Sequence, residues 1–128
     1  RKHTIIIVGA GNIGHALTNF PGFAETGFEV KALFDVNEDL IGTEIKGHPV
    51  LDVKDMDEYI RENQIDIGVI AARRSAAQEI ANRMCAAGIR GIWNFVPLDI
   101  TTSVPIENVH LSESLSTLSY KIEHGLLD

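Results

Sequence analysis

The fold is decided by the stretch Ile5-Ile6-Ile7-Val8-Gly9-Ala10-Gly11-Asn12-Ile13-Gly14. A β-branched apolar run leads directly into a Gly-x-Gly-x-x-Gly motif, and small and apolar residues follow at helical spacing. In such a strand–loop–helix unit each glycine has a separate role. Gly9 permits the tight turn, Gly11 leaves room for a pyrophosphate, and Gly14 lets the helix pack closely on the strand. The helix N-terminus directs unpaired N–H groups at the phosphates.

An acidic residue at the end of the second predicted strand completes this pattern. The apolar run that starts at Phe28 ends in Asp35, 21 residues beyond Gly14. A carboxylate at this place binds the ribose diol of a dinucleotide and repels a 2′-phosphate, so we expect NAD (NADH or NAD⁺) rather than NADP. Two other interpretations stay open. The glycines could serve packing alone, or the same fold could bind a CoA-type ligand.

Length and composition indicate one small domain over residues 1–128. The chain is 45% hydrophobic and 23% charged, as is ordinary for a globular domain. Its apolar runs are shorter than the ~20 residues that span a bilayer, so we expect no membrane partner. The single cysteine, Cys85, excludes an internal disulfide, and we expect a cytoplasmic location. The histidines show no metal-ligand spacing, so no metal is expected.

The charge balance argues against direct binding to nucleic acid. Eleven Lys and Arg face eighteen Asp and Glu, which gives a net charge of −7. Proteins that bind DNA usually present a basic stripe to the phosphates. The pair Arg73-Arg74 is too short to form one. We therefore expect that these 128 residues do not bind DNA by themselves.

Strands and helices alternate along the chain. The pattern predicts strands over residues 4–8, 28–35, around 50, 65–71, 91–95 and 108–111, and helices over 12–20, 56–62, 76–87 and 112–124. This order is typical of an α/β fold, a Rossmann-type doubly wound parallel sheet. The last helix carries Leu115, Leu118 and Ile122 on one stripe, which predicts a C-terminal dimerisation helix in a homodimer.

Candidate cofactor contacts lie where the predicted strands end, because doubly wound sheets bind ligands beyond their carboxyl edge. The candidates are Gly9, Ala10, Gly11, Asn12, Ile13, Gly14, Asp35, Val36, Ala71, Ala72, Arg73, Asn94, Phe95 and Pro97. No group of candidate catalytic residues accompanies them. Dehydrogenases of this kind also usually hold their substrate in a second domain, with an acid–base residue. The sequence therefore favours a sensor that binds a cofactor over an enzyme.

Several longer runs are more specific than the glycine motif. They are Val-Gly-Ala-Gly-Asn-Ile-Gly-His-Ala-Leu at 8–17, Asn-Phe-Pro-Gly-Phe at 19–23, Phe-Asp-Val at 34–36, Ala-Ala-Gln at 76–78, Ala-Ala-Gly-Ile-Arg-Gly-Ile-Trp-Asn-Phe-Val-Pro at 86–97 and Glu-Asn-Val-His-Leu at 107–111. Together they resemble the C-terminal domain of the Rex redox-sensing repressors over essentially the whole chain. The run at 88–97 is the most discriminating.

The resemblance implies a function. In that family this domain binds NADH or NAD⁺, two protomers pair by exchanging the C-terminal helix, and a separate winged-helix domain binds DNA until NADH releases it. The winged-helix half is not among these residues. The resemblance also implies that the three motif glycines hold the pyrophosphate, that Asp35 binds the adenosine ribose, and that Asn94 and Phe95 lie beside the nicotinamide.

Three departures from the family pattern concern the redox response. Phe20 stands where some members have Tyr, and His110 stands where Asp is common. That Tyr–Asp pair is linked to redox-dependent closure, so Phe20 and His110 are candidate signal-coupling residues. Ala71-Ala72-Arg73 replaces the usual Thr-Val-Pro. Two alternatives remain, a small NAD(P)-dependent oxidoreductase or its cofactor domain, and a CoA-binding module, which Asp35 disfavours because CoA carries a ribose 3′-phosphate.

Overall fold

The computed structural model describes residues 2–128, without the side chains of Leu111 and Glu113. In chain order the elements are β1 (His3–Val8), α1 (Asn12–Thr18), α2 (Gly22–Glu25), β2 (Phe28–Asp35), β3 (Glu44–Ile45), β4 (His48–Asp52), α3 (Met56–Asn63), β5 (Ile67–Ile70), α4 (Arg74–Ala87), β6 (Gly91–Asn94), β7 (Ile106–Asn108) and α5 (Leu111–Glu123). A short 3-10 turn, Val53–Asp55, joins β4 to α3.

The strands form one seven-stranded sheet in the order β3-β4-β2-β1-β5-β6-β7. Every pairing is parallel except that of β3 with β4. Val8 pairs with Phe34 of β2 on one side and with Ile70 of β5 on the other. The chain winds in opposite directions from β1, so the switch point lies between β1 and β5. The predicted α/β fold class is confirmed.

Helices cover both faces of the sheet. They bury the side chains of β1, which is apolar at every position from Ile5 to Val8 and so presents apolar side chains to both faces. Ile6 and Val8 pack in a layer with residues of α3 and α4, among them Met56 and Met84. Ile5 and Ile7 point to the opposite layer, where side chains of α1 and α2 pack on them. A parallel strand that is buried on both faces requires such a continuous apolar run.

The main differences between the predicted and observed elements concern α2, β7 and the β3–β4 hairpin, and the other element ends shift by one or two residues. The helix predicted over 12–20 ends at Thr18, and Pro21 precedes a separate helix, α2, because its fixed φ suits a helix start. The strand predicted over 108–111 is Ile106–Asn108, and the chain turns into α5 directly afterwards. The β3–β4 hairpin was not predicted, since its turn places Lys46 rather than Asn or Asp at positive φ (53°).

The C-terminal helix α5 leaves its apolar stripe uncovered. Leu115, Leu118 and Ile122 are 68%, 53% and 72% exposed. The predicted amphipathic helix is therefore present, with an apolar face that no part of the described chain covers, and dimerisation stays a prediction. Across residues 2–128, no helix has the length and apolar character that crossing a membrane requires.

Candidate cofactor-binding cleft

Two of the motif glycines are required by packing. Gly9 has a φ of +116°, and a side chain there would collide with the carbonyl oxygen of Ala71, directly after β5. Gly14 is buried in α1, and a Cβ there would collide with the carbonyl oxygen of Gly9. Gly9 thus packs the glycine loop against β5, and Gly14 packs α1 against that loop. The same Cβ would also lie 3.4 Å from Leu33 Cδ2 on β2, so Gly14 packs α1 close to the sheet as well.

Gly11 has neither a positive φ nor a close packing contact that would require a glycine. Its φ of −83° is accessible to any residue, and an added Cβ would meet no atom within 4 Å. The first hydrogen bond of α1 runs from His15 N–H to the Gly11 carbonyl, and no side chain caps the helix. The N–H groups of Asn12 and Ile13 therefore point out of the helix start with no partner inside it. This open space is what a bound phosphate group would occupy.

A cavity of about 620 Å³, the first cavity, lies beyond the carboxyl ends of β1, β2 and β5. It collects these predicted residues: Gly9, Gly11, Asp35, Val36, Ala71, Ala72 and Arg73. Val36 is 64% exposed at this cavity, which is unusual for a valine that follows a buried strand. A planar apolar group such as adenine would cover it.

Asp35 connects β2 to the glycine loop. Its Oδ2 accepts a hydrogen bond from Ala10 N–H (2.8 Å), and its Oδ1 accepts from the N–H groups of Val36 (2.7 Å) and Asn37 (2.9 Å). A carboxylate has about four acceptor positions, so a ribose hydroxyl can still bind. Ala10, predicted as a cofactor contact, has its methyl group buried and its N–H bound to Asp35, and therefore supports the loop.

The far wall of the first cavity was not predicted. It is formed by the 3-10 turn and by one face of α4, with Val53, Ala76, Glu79, Ile80 and Arg83. Arg83 fastens this wall, because its Nε lies 2.9 Å from Asp57 Oδ1 and its Nη2 lies 2.7 Å from the Val53 carbonyl oxygen. The helical spacing of 76, 79, 80 and 83 places these residues on one face, which is the signal that was available in the sequence.

A second cavity, of about 510 Å³, lies beyond β6 and β7. It contains the predicted residues Phe95, Pro97 and His110, together with Arg74, Leu98, Asp99, Val109 and Ser112. Arg73 lines the first cavity and Arg74 the second, so both cavities reach the start of α4. The two cavities together are called the cleft.

Asn94 was predicted to contact the cofactor, and the structure corrects this. Its side chain is 1% exposed and fully engaged. The amide nitrogen donates to the Val96 carbonyl (3.0 Å) and to Asn108 Oδ1 (3.0 Å), and the amide oxygen accepts from Val96 N–H (2.9 Å). Asn94 therefore shapes the loop after β6 and ties it to β7. Through that loop it positions Phe95 at the second cavity.

The two candidate signal-coupling residues lie in different places. His110 lines the second cavity at the start of α5. Phe20 lies between α1 and α2, is 55% exposed, and packs edge-on against Phe23 with ring centroids 5.1 Å apart. Among the side chains that the structure describes, no group of three or more His, Cys, Asp or Glu is arranged to hold a metal ion.

The model of the family described as CoA binding domain matches residues 1–98. The chain belongs to this family. Its first cavity lies at the carboxyl edge of the parallel strands, which is where doubly wound α/β sheets bind ligands.

The chain is also similar to the redox-sensing transcriptional repressor Rex of Clostridioides difficile (strain 630). The two are 47% identical over 127 residues, which are 98% of this chain and 60% of the relative. The chain thus spans about 60% of the length of the curated Rex repressors that it matches. The resemblance to the Rex repressors is confirmed.

Solved structures give the same result. The crystal structure of RSP, a Rex-family repressor, has a TM-score of 0.92 at 42% identity and covers 98% of this chain and 61% of that chain. RSP in complex with β-NADH has a TM-score of 0.91 at 42% identity, over 97% of this chain and 61% of that one. RSP in complex with β-NAD⁺ and operator DNA has a TM-score of 0.92 at 42% identity, over 97% and 58%.

Proposed function

We propose that this chain binds NADH and NAD⁺ in the cleft and serves as the redox-sensing domain of a Rex-type repressor. The observation that carries the proposal is Gly11, because neither its backbone nor its packing demands a glycine. The open space at Gly11 adjoins a cavity that reaches Asp35. The complexes of RSP with β-NADH and β-NAD⁺ support the same ligand.

Each part of the cleft suits one part of a dinucleotide. The first cavity would hold the adenosine, with Asp35 accepting from the ribose hydroxyls. Gly11 and the first N–H groups of α1 would hold the phosphates. The second cavity would hold the nicotinamide against Phe95 and Pro97. When bound, the nicotinamide supplies the redox signal, since its ring is cationic in NAD⁺ and neutral in NADH.

The ribose end favours NAD(H) over NADP(H). Asp35 ends β2, and the loop that follows, residues 36–43, adds Glu38 and Asp39 but no Lys or Arg. Both added acids are exposed. A 2′-phosphate would therefore enter a region of negative charge without a cation from this loop.

A homodimer formed through α5 belongs to the same proposal. Its apolar stripe continues beyond the helix to Leu127, which is 99% exposed. Such a stripe is stabilised when a second copy covers it. Because the net charge is −7, we assign DNA binding to a separate winged-helix domain. We infer a cytoplasmic sensor rather than an enzyme, since the cleft combines cofactor contacts with no evident acid–base pair.

A second candidate ligand is CoA, which the description of the matching family favours. CoA shares the adenosine and pyrophosphate that the first cavity would bind. Its 3′-phosphate, however, would lie on the same ribose that Asp35 faces. The acidic end of the cavity therefore ranks CoA below NAD(H).

Titration of the purified chain by calorimetry with NADH, NAD⁺, NADPH and CoA tests the proposal. We expect NADH and NAD⁺ to saturate one site per chain, and NADPH and CoA to bind at least about tenfold more weakly. Binding of CoA without NADH or NAD⁺ would replace the proposal by the CoA module. Steady consumption of NADH with an added carbonyl substrate would instead indicate an oxidoreductase.

A further inference from the structure

Arg73 and Arg74 are consecutive residues at the start of α4, yet they line different cavities. Arg73 lines the first cavity together with Gly11, and Arg74 lines the second together with Phe95. Both side chains are exposed. Within the described part of the chain, no ion pair joins either guanidinium to a carboxylate. Their positive charges are therefore available to a ligand in the cleft.

We propose that the two arginines divide the recognition of a dinucleotide between them. Arg74 makes the site discriminate between the oxidised and the reduced ring, whereas Arg73 binds the phosphates and does not discriminate. This inference rests on the proposed function, since it takes NAD(H) as the ligand, and it adds the residue that sets the redox preference.

The argument for Arg74 starts from the walls of the second cavity. Phe95, Pro97, Leu98 and Val109 give it a partly apolar surface, beside the polar residues Arg74, Asp99, His110 and Ser112. Charges act more strongly beside such a surface than in bulk water. The charged or titratable groups of the cavity are Arg74, Asp99 and His110. A guanidinium is always protonated, so Arg74 repels the cationic ring of NAD⁺ and leaves the neutral ring of NADH unaffected.

Asp99 gives the same cavity a charge of opposite sign. It is exposed and follows Leu98 on the loop after β6. Its carboxylate attracts the cationic ring and so acts against Arg74. Loss of Arg74 should consequently favour NAD⁺, and loss of the Asp99 charge should favour NADH. Opposite shifts from two neutralised side chains distinguish an electrostatic effect from a general loss of packing.

The argument for Arg73 starts from the contact between β5 and the glycine loop. Gly9 packs against the carbonyl of Ala71, so Arg73 follows that contact by two residues and shares a cavity with Gly11. The pyrophosphate carries the same charge in NADH and NAD⁺. A guanidinium that binds it strengthens both complexes by the same factor. Arg73 is therefore the matched reference for Arg74, being the same residue type one position away.

The test is the ratio of the dissociation constants for NAD⁺ and NADH, measured by calorimetry on the full chain at about 50 mM salt. We expect R74Q to lower this ratio by about three- to tenfold and D99N to raise it by a similar factor. R73Q should weaken both cofactors at least about threefold and leave the ratio within about twofold. R61Q removes the same charge from the exposed end of α3, at the opposite edge of the sheet, and should change neither constant.

The inference fails if R74Q leaves the ratio within about twofold of the wild-type value, or if D99N and R74Q shift it in the same direction. An equal weakening of both cofactors in R74Q would make Arg74 a second phosphate-binding residue. A wild-type chain that binds neither cofactor would overturn the proposed function itself. Circular dichroism of each variant confirms that it is folded, which is expected because all four side chains are exposed.

Discussion

Asp35 and Ala10 are joined by a hydrogen bond of 2.8 Å from the backbone N–H of Ala10 to the Oδ2 atom of Asp35. This bond fastens the glycine loop after β1 to the end of β2. The second carboxylate oxygen accepts two further backbone N–H groups in the loop that follows. A single side chain therefore shapes the glycine loop and also faces the first cavity, so its removal should affect both stability and selectivity.

The first prediction concerns Asp35→Ala. In the wild type we expect NADH to bind at least about tenfold more tightly than NADPH, and Asp35→Ala should narrow this gap because repulsion of the 2′-phosphate is lost. The free energy of unfolding of the variant should also be lower by about 1–3 kcal/mol, since three backbone N–H groups lose their acceptor. Calorimetric titration and urea unfolding measure the two effects.

Asp39→Ala, in the same loop, is the control and should change stability little. A wild type that prefers NADPH would contradict the role given to Asp35.

The second prediction separates the motif glycines. Gly11→Ala places a methyl group in open space, so the free energy of unfolding should change by no more than about 1 kcal/mol. The same methyl group should lower the affinity for NADH at least about tenfold. Gly14→Ala should instead destabilise the fold by about 2–4 kcal/mol, because its Cβ collides with the Gly9 carbonyl. Unchanged NADH binding in Gly11→Ala would show that the phosphates lie elsewhere.

The third prediction concerns the exposed stripe of α5. Sedimentation velocity should show a dimer at micromolar concentration, and Leu118→Glu should convert it to a monomer by placing a charge on the apolar face. Thr117→Glu, one position away and off the stripe, should leave the dimer intact. A monomeric wild type at micromolar concentration would rule out this interface.

The fourth prediction concerns His110 in the second cavity. A carboxylate in its place would attract the cationic ring of NAD⁺ and leave the neutral ring of NADH unaffected. His110→Asp should therefore lower the ratio of the dissociation constants for NAD⁺ and NADH, and His110→Asn should change this ratio less. Calorimetric titration with both cofactors measures the ratio. If His110→Asp leaves it unchanged, the histidine has a structural role only.

The fifth prediction concerns Cys85, which lies on α4 with its Sγ 3.1 Å from Thr102 Oγ1. Burial raises the pKa of this thiol, but hydrogen bonds from Thr102, Ser103 and the backbone at 103 and 104 outweigh it and lower the pKa overall. At a given pH below the ordinary cysteine pKa, a larger fraction of Cys85 is therefore present as thiolate. The alkylation rate should reach half its maximum at a lower pH than for an ordinary cysteine, and Thr102→Val should raise that midpoint. If Thr102→Val leaves the pH midpoint of alkylation unchanged, the hydrogen bond with Thr102 is not the cause of the lowered pKa of Cys85.

Much of the fold follows from local pattern. The apolar run from Ile5 to Val8, which ends at a glycine, is typical of a strand that is buried on both faces, and Gly88 ends α4 at a φ of +100°, where glycine is favoured. The glycine motif and the acid 21 residues later predicted a site at the carboxyl edge, where the structure has the first cavity. These signals are local because backbone sterics and strand or helix periodicity act over a few neighbouring residues.

Only the tertiary structure decided how the cleft is built from distant segments. Asn94, predicted as a contact, holds the loop after β6, whereas Arg83, not predicted, fastens the far wall through Asp57 and Val53. The division of Arg73 and Arg74 between two cavities also has no sign in the sequence. The physical reason is that side-chain partners from other elements set these roles, and a sequence pattern specifies which residues form a helix or strand but not which distant groups they meet.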